Sequence, residues 1–562
     1  QPPIQEIGED SRGGLKTEML AKGKTKSWKM IGIILIAAFV VGCHKKSSVD
    51  SQRKVRLSIL APVRSLDPRI SNEYPSVHVM NMLYEGLMRL GPDGEILFGA
   101  AESVTLSKDQ CIYTFHLKDS CWSNGDPVTA YDYEYAWKKS VDPLTAKTGA
   151  FTFYTIKNVA ACLEGSATID EVGIRALDAK TLEVELEHPA PYFLSLCACS
   201  TYSPIHKKFD QFDPNWANSV NDHFVSNGPF KLVSWKKSVE IILEKNPYYW
   251  GASEVKLPGI AIQIVPDANT QFLLFEKGEL DWIGEPFNVL PIDIIMEHKE
   301  DPRLRVIDSY GLYWFFVNVK VPPFNNKNFR KALAYALNRK EIAEHVFQLG
   351  EEPAMGILSE GLAVHDAPYF PDGDLSLAKK IFDLALEELG MSPEEVPTLV
   401  LSQRSCLFTS RVNQAVQEQL RKGLGLNVEI DQVDWPVHFN RMSKGDFQFG
   451  EMGWTSWLRD PIYMLDTFRT ANLAINMSNW EDAKYQELLV KSDHEIDPVK
   501  RKRYLQKAEA LLMEEMPVIP LCYNKLKLFQ NPSLKGVYMS PLKEIDFRYA
   551  YFDESSGDGK PQ

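Results

Sequence analysis

Tyr113, Phe115 and Leu117 alternate with Thr114 and His116, the period of two that turns one face of a β-strand inward. Leu182, Val184 and Leu186 repeat that pattern against Glu183, Glu185 and Glu187. Residues 239–243 read as a further strand, stopped by Asn246-Pro247. The second half of the chain changes period. Phe329, Leu333, Ala336, Leu337, Ile342 and Val346 fall at helical spacing and predict one helix over 328–347, ended by Gly350. Leu377, Ile381, Leu384 and Ala385 predict a helix over 376–389, closed by Gly390. A third helix is predicted over 503–513, followed by an apolar strand at 518–521. Strand groups alternate with helices and no fixed period repeats, which predicts a mixed α/β chain. Its 562 residues exceed the roughly 250–300 at which a single core stops growing, so more than one domain is expected.

The N-terminal pattern obeys a different logic. Lys22, Lys24, Lys26 and Lys29 precede an apolar run from Ile31 to Val41, and Gly42-Cys43 closes it. Basic region, short apolar core and small residue predict a secretory signal over 19–42. The run is about half of the ~20 residues a spanning helix needs, which disfavours an uncleaved anchor. Val40-Val41-Gly42-Cys43 resembles a bacterial lipobox, which implies cleavage before Cys43 and lipid on its thiol. Residues 43–54 read as a tether. Met19 is the natural start on this reading, and residues 1–18 read as translated upstream sequence.

Composition narrows the function. A formal net charge of −13, with no basic stripe, argues against a nucleic-acid partner. The 12 Trp, 22 Tyr and 28 Phe supply both cores and broad ligand pockets. Lipid on Cys43 leaves seven of the eight cysteines, which cannot all pair within one chain. Cys111 and Cys121 bracket a strand and are a candidate pair. Cys197-Ala198-Cys199 is a candidate metal ligand pair without a partner pair at ligand spacing; small buried residues are the plainer reading. There is no phosphate-cradling loop, no His-Glu-x-x-His helix and no Gly-x-Ser-x-Gly elbow. His438 is a candidate base, though a lone histidine is more often structural.

An ordered series of motifs then resembles the bacterial oligopeptide-binding proteins, extracellular solute-binding family 5. It opens with Ser65-Leu66-Asp67-Pro68 and Leu83-Tyr84-Glu85-Gly86-Leu87, then Tyr113-Thr114-Phe115-His116-Leu117. Trp122-Ser123-Asn124-Gly125-Asp126-Pro127-Val128-Thr129-Ala130-Tyr131-Asp132 is nearly the intact family signature. Ser226-Asn227-Gly228-Pro229-Phe230, Asn246-Pro247-Tyr248-Tyr249-Trp250, Gly278-Glu279-Leu280-Asp281, Pro323-Phe324-Asn325 and Arg330-Lys331-Ala332-Leu333 follow. Gly453-Trp454 and Pro517-Val518-Ile519-Pro520-Leu521 complete the series. The signature itself reads as scaffold: Asn124 to Pro127 is turn chemistry, and Thr129 or Asp132 suits a helix cap.

The resemblance implies an α/β, bilobal, periplasmic-binding-protein-like fold (type II, cluster C) with three domains and a hinge. One domain is expected from residues 50–92, 205–310 and 520–555, a second from 93–204, and the second lobe from 311–519. It implies an oligopeptide ligand held between the lobes, murein peptides suiting an altered end pocket, and delivery to ABC-importer permease subunits with their ATPase subunits. It implies a monomer in the cell envelope, anchored in the periplasm by lipid on Cys43, with no catalysis, no cofactor and no metal. Rival expectations are a non-peptide ligand on the same fold (nickel, haem or a glycan), or a surface lipoprotein enzyme or chaperone.

Site residues follow by the same resemblance. Trp435 and Trp454 match pocket-lining positions. The family Asp that meets a peptide α-ammonium is Trp457 here, and a family basic residue is Glu451, a reversed charge expected to face the cleft. Either Glu451 or Asp460 is therefore expected to take the ligand's positive charge, or the ligand has a modified end. Tyr313 and Trp314 lie on opposite faces of an aromatic strand, one of them expected to face the cleft. The inter-strand cysteine pair of some relatives falls at Gly311 and Thr455, so that disulfide is missing.

Overall fold

The computed structural model describes residues 53–70, 74–145, 149–471 and 475–553. The expected signal peptide and Cys43 lie outside the described residues.

Two large hydrophobic cores and a small third one, around Phe272, Phe275 and Phe529, organise the described chain. The first gathers residues from Val55 to Phe287, together with Leu526, Leu528 and the C-terminal segment to Ala550. The second gathers Tyr310 to Met516, Val518, Ile519, Leu521 and Cys522. In the first, strand Val55–Ile59 runs parallel to Gly259–Ile264, which continues antiparallel into Glu240–Lys245 and Phe230–Lys236. A second sheet joins Ala101–Leu106, Ile112–Leu117, Thr181–Glu185 and Ile174–Ala176. Its alternation is as predicted: Tyr113, Phe115, Leu117, Leu182 and Val184 are buried.

The motifs of the first lobe interlock. The buried Asn227 side chain accepts from Glu85 N–H (3.0 Å) and donates to Glu85 C=O (2.9 Å). A Cβ on Gly228 would lie 2.6 Å from the Leu83 carbonyl, so only glycine fits that crossing. The turn at Asn124 to Pro127 is present, with Gly125 at φ +93°. Asp132 accepts from Thr129 N–H and hydroxyl, both at 2.9 Å, and so caps helix Ala130–Val141. Trp122, Tyr133 and Trp137 are fully buried, so the signature is scaffold.

Two long antiparallel strands, Leu304–Val317 and Val518–Gln530, pass from one core to the other. Their pairing is irregular between Asp308 and Leu312, between the part that packs on the first core and the part inside the second. That stretch joins the two cores. Beside it, Gly311 pairs directly with Thr455, and a Cβ on Gly311 would come within 2.7 Å of Thr455 Oγ1. The two positions at which the resemblance placed a disulfide are thus cross-strand partners.

The second lobe extends this sheet in the order Leu304–Val317, Phe449–Thr455, Leu399–Arg404, Val428–Val433. The last three are mutually parallel, linked by helices Leu407–Leu424 and Trp435–Lys444. Both helices end at a left-handed glycine, Gly425 and Gly445. Helix Leu375–Leu389 and its Gly390 stop are as expected.

The helix expected over 328–347 is corrected. Helix Lys327–Ala336 stops at Leu337, which is extended (φ −79°, ψ 122°), and Asn338 caps a new start by accepting from Glu341 N–H at 2.9 Å. The candidate pair Cys111 and Cys121 is corrected too: all seven described cysteines are free. Cys197 and Cys199 lie in the first core with no ligating cluster; among the described residues no group of three His, Cys, Asp or Glu is placed to hold a metal. No described helix is long and apolar enough to cross a membrane.

Candidate functional site

In open sheets with parallel strands, ligands gather outside the carboxyl ends of those strands. Here those ends are Arg404, Val433 and Thr455, and the turns that follow carry Trp435 and Trp457. Trp435 opens its helix with its ring 44% exposed. The Arg404 guanidinium lies over that ring, 5.7 Å from its centroid. Its side chain is 37% exposed, and Nε sits 3.6 Å from Glu451 Oε1 and 3.5 Å from Thr409 Oγ1. Glu451 is 1% exposed. Its Oε1 also accepts the Arg404 N–H at 3.1 Å, while Oε2 has no hydrogen-bond partner. His438 is buried beneath, with Nε2 2.9 Å from the Glu451 carbonyl, so this candidate base is a structural histidine.

Strand register sorts the other candidates. Leu312 pairs with Trp454 and Trp314 with Met452, so Trp314 and Trp454 share a face. Their rings stack at 6.0 Å and 28°, beside Phe316 and Phe468. Trp314 is fully buried there. Tyr313 points the other way but is also buried, donating to Asn413 Oδ1 at 3.3 Å. Burial and the nearby Glu451 charge hold its phenol well above the usual range. Neither side of the aromatic strand is open at these two residues, because helices cover one face and the Trp454 cluster the other; both are core.

The two acidic candidates are also corrected. Asp460 is buried, makes two 2.8 Å bonds to the Arg501 guanidinium and accepts the Ile462 N–H. Glu451 is covered by Arg404. A buried carboxylate needs a partner, and each has taken an arginine. Arg404 presents a cation at this carboxyl edge, beside the exposed Asp434 that precedes Trp435, and sequence reasoning missed it. Its sequence signal was slight: a polar Gln403-Arg404-Ser405 ending an apolar strand.

Trp457 is 47% exposed. It stacks on Tyr463 (5.6 Å, 25°) and meets Phe151 of the first lobe at 6.3 Å. Other contacts cross the same seam. Arg411 bonds Asp293 at 3.0 Å, and the rings of His188 and His494 stand 5.1 Å apart. Tyr192 and Tyr463 pack against both cores. A cavity of about 390 Å³ opens between Gln110 and Pro191 on one side and Arg459, Ile496 and Lys502 on the other.

Residues 95–474 match the model of the bacterial extracellular solute-binding proteins, family 5. The chain belongs to this family. It is 38% identical over 542 residues to the oligopeptide-binding protein OppA of Bacillus subtilis, covering 94% of this chain and 99% of that one. It is 34% identical to the dipeptide-binding protein DppE of the same organism, covering 91% and 94%. The structure of Listeria monocytogenes OppA bound to peptide superposes with a TM-score of 0.70 at 28% identity, covering 90% of this chain and 99% of that one. The family fold is the bilobal α/β fold with three domains and a hinge, as expected from sequence.

Proposed function

We propose that this chain is the ligand-capturing component of a peptide ABC importer. It holds oligopeptides, murein peptides among them, at the seam between its lobes and hands them to a membrane permease with its ATPase subunits. The observation that carries this reading is end-to-end similarity to oligopeptide- and dipeptide-binding proteins, on a structure that exposes Trp435, Trp457 and part of Arg404 at the carboxyl edge of its parallel strands. Trp435 and Trp457 line the ligand, with Trp454 supporting them from behind. Lobe closure about the hinge is the signal the permease reads, since a ligand touching both lobes favours the closed population. No bond is made or broken by the chain. It works as a monomer outside the cytoplasmic membrane, anchored by lipid on Cys43 in the cell envelope. Its domains are residues 50–92 with 205–310 and 520–555, then 93–204, then 311–519.

Mass spectrometry of small molecules released on denaturing the purified protein tests this. Ligand at 100 times its dissociation constant adds about 2.7 kcal/mol of apparent stability, so tight ligands survive purification. A ladder of short peptides is expected. A single metal complex, a haem or a glycan in its place would overturn the peptide reading.

A further inference from the structure

We infer that Arg404, laid on the Trp435 ring and tethered by the buried Glu451, is the receptor for a ligand carboxylate. The inference rests on the peptide reading above and names the chemistry of one end of that site.

Three observations converge. Arg404 is the last residue of its strand, at the carboxyl edge where three parallel strands end together. Its side chain is more than one-third exposed, and the only hydrogen bond of its guanidinium among the described residues runs from Nε to Thr409. The two terminal nitrogens, the fork that matches a carboxylate, are left free for a ligand. Trp435 supports the flat face of the cation, and its own ring is exposed beside it, giving an apolar shelf for the carbon chain next to the charge.

Glu451 explains why the fork stays in place. An exposed arginine samples many rotamers, and ordering it on binding would weaken affinity. Glu451 is buried below it, reached by both the backbone N–H and the side chain of Arg404. It thus holds the cation from behind while taking no room at the surface. Gly453, two residues on and on the same face, has no atom within 4 Å of where a Cβ would stand, so space lies open above this face. Glu451 is a positioning residue; Arg404 touches the ligand. The rival is that Arg404 swings away and Glu451 takes a ligand ammonium.

Four probes decide, by calorimetry on the purified protein: tri-alanine, tri-alanine amide, Ala-Glu-Ala amide and Ala-Gln-Ala amide. A terminal carboxylate in the fork makes tri-alanine bind about tenfold or more tighter than its amide. A side-chain carboxylate moves that preference to the Glu over the Gln amide. In either case Arg404→Gln is expected to erase the preference and Arg404→Lys to keep part of it. Glu451→Gln should shrink the preference by a larger factor than it weakens binding of the neutral amides, a split that a merely structural role would not produce. A preference that survives intact in Arg404→Gln, with melting unchanged, overturns the inference and leaves the peptide reading standing. So does a loss of affinity in Glu451→Gln that disappears when the probe's amine is acetylated. Binding of none of the probes to the parent protein sinks the peptide reading, and this inference with it.

Discussion

Replacing Arg339 by methionine is expected to destabilise the second lobe by about 3–5 kcal/mol. Arg339 is fully buried. Nε donates to the Pro520 carbonyl at 2.8 Å, and Nη1 to those of Ala334 (2.9 Å) and Leu337 (3.1 Å). The Ala334 and Leu337 carbonyls are left without helical partners where helix Lys327–Ala336 breaks. Pro520 belongs to the long strand Val518–Gln530 that passes back to the first core. One side chain therefore ends a helix and ties it to that strand. Methionine matches the length but takes the guanidinium from the Ala334 and Pro520 carbonyls, each loss worth about 1–3 kcal/mol, while the Leu337 carbonyl keeps the Gly373 N–H at 3.0 Å. Asp372 keeps its two backbone donors, Arg339 N–H and Lys340 N–H, so the carbonyls dominate the loss. Burial lowers the affinity of this guanidinium for its proton, a sign that desolvation opposes its charge. The opposing possibility is thus concrete: if desolvation outweighs the three bonds, the methionine variant will unfold at the same urea concentration as the parent or a higher one. Arg339→Lys should recover part of the loss.

The break at Leu337 also shows where sequence reading stopped. The apolar positions keep helical spacing straight through 328–347, because both short helices bury one face in the same core. The interruption depends on Asn338 as a cap and on Arg339 reaching a strand 181 residues away. Periodicity records which side is buried; it does not record where the hydrogen bonds go. Strands 112–117 and 181–185 were legible because one face is core and the other is partly wet. The strand from Leu304 was legible as aromatic but not as doubly buried, since its second half is covered on both faces.

The site divides the same way. Trp435, matched by resemblance, and Trp457, which stands where the family has Asp, are both exposed. The fates of Glu451 and Asp460 were not legible, because their arginine partners lie 47 and 41 residues away. A carboxylate in a sequence motif carries a charge on paper. Whether a ligand meets that charge depends on a partner that only the fold supplies. The same holds for the Trp457 position, whose neighbour Phe151 comes from the other lobe.

Glu509 carries the other large effect, and it depends on pH. This carboxylate is 2% exposed on helix Pro498–Glu515. It accepts from Ile357 N–H (2.9 Å), Leu358 N–H (3.1 Å) and Tyr369 Oη (2.9 Å). Burial outweighs those bonds and pushes its pKa up to about 7. In the unfolded chain it returns to the ordinary glutamate value of 4.5. Between these values the folded state holds the proton that the unfolded state has lost. The contribution of Glu509 is therefore most favourable below pH 4.5, declines as pH rises, and levels off above 7. At about 1.4 kcal/mol per pH unit of that interval, the charged form costs roughly 3 kcal/mol at pH 8. Glu509→Gln keeps an acceptor for the two backbone donors and never ionises, and the Tyr369 hydroxyl can turn to accept from the amide. The variant should match the parent near pH 4 and exceed it by about 2–3 kcal/mol at pH 8. Urea midpoints of the two proteins across that range are the measurement. Curves that run parallel from pH 4 to 8 would mean that Glu509 stays ionised in the fold, with its three donors, rather than burial, setting its charge.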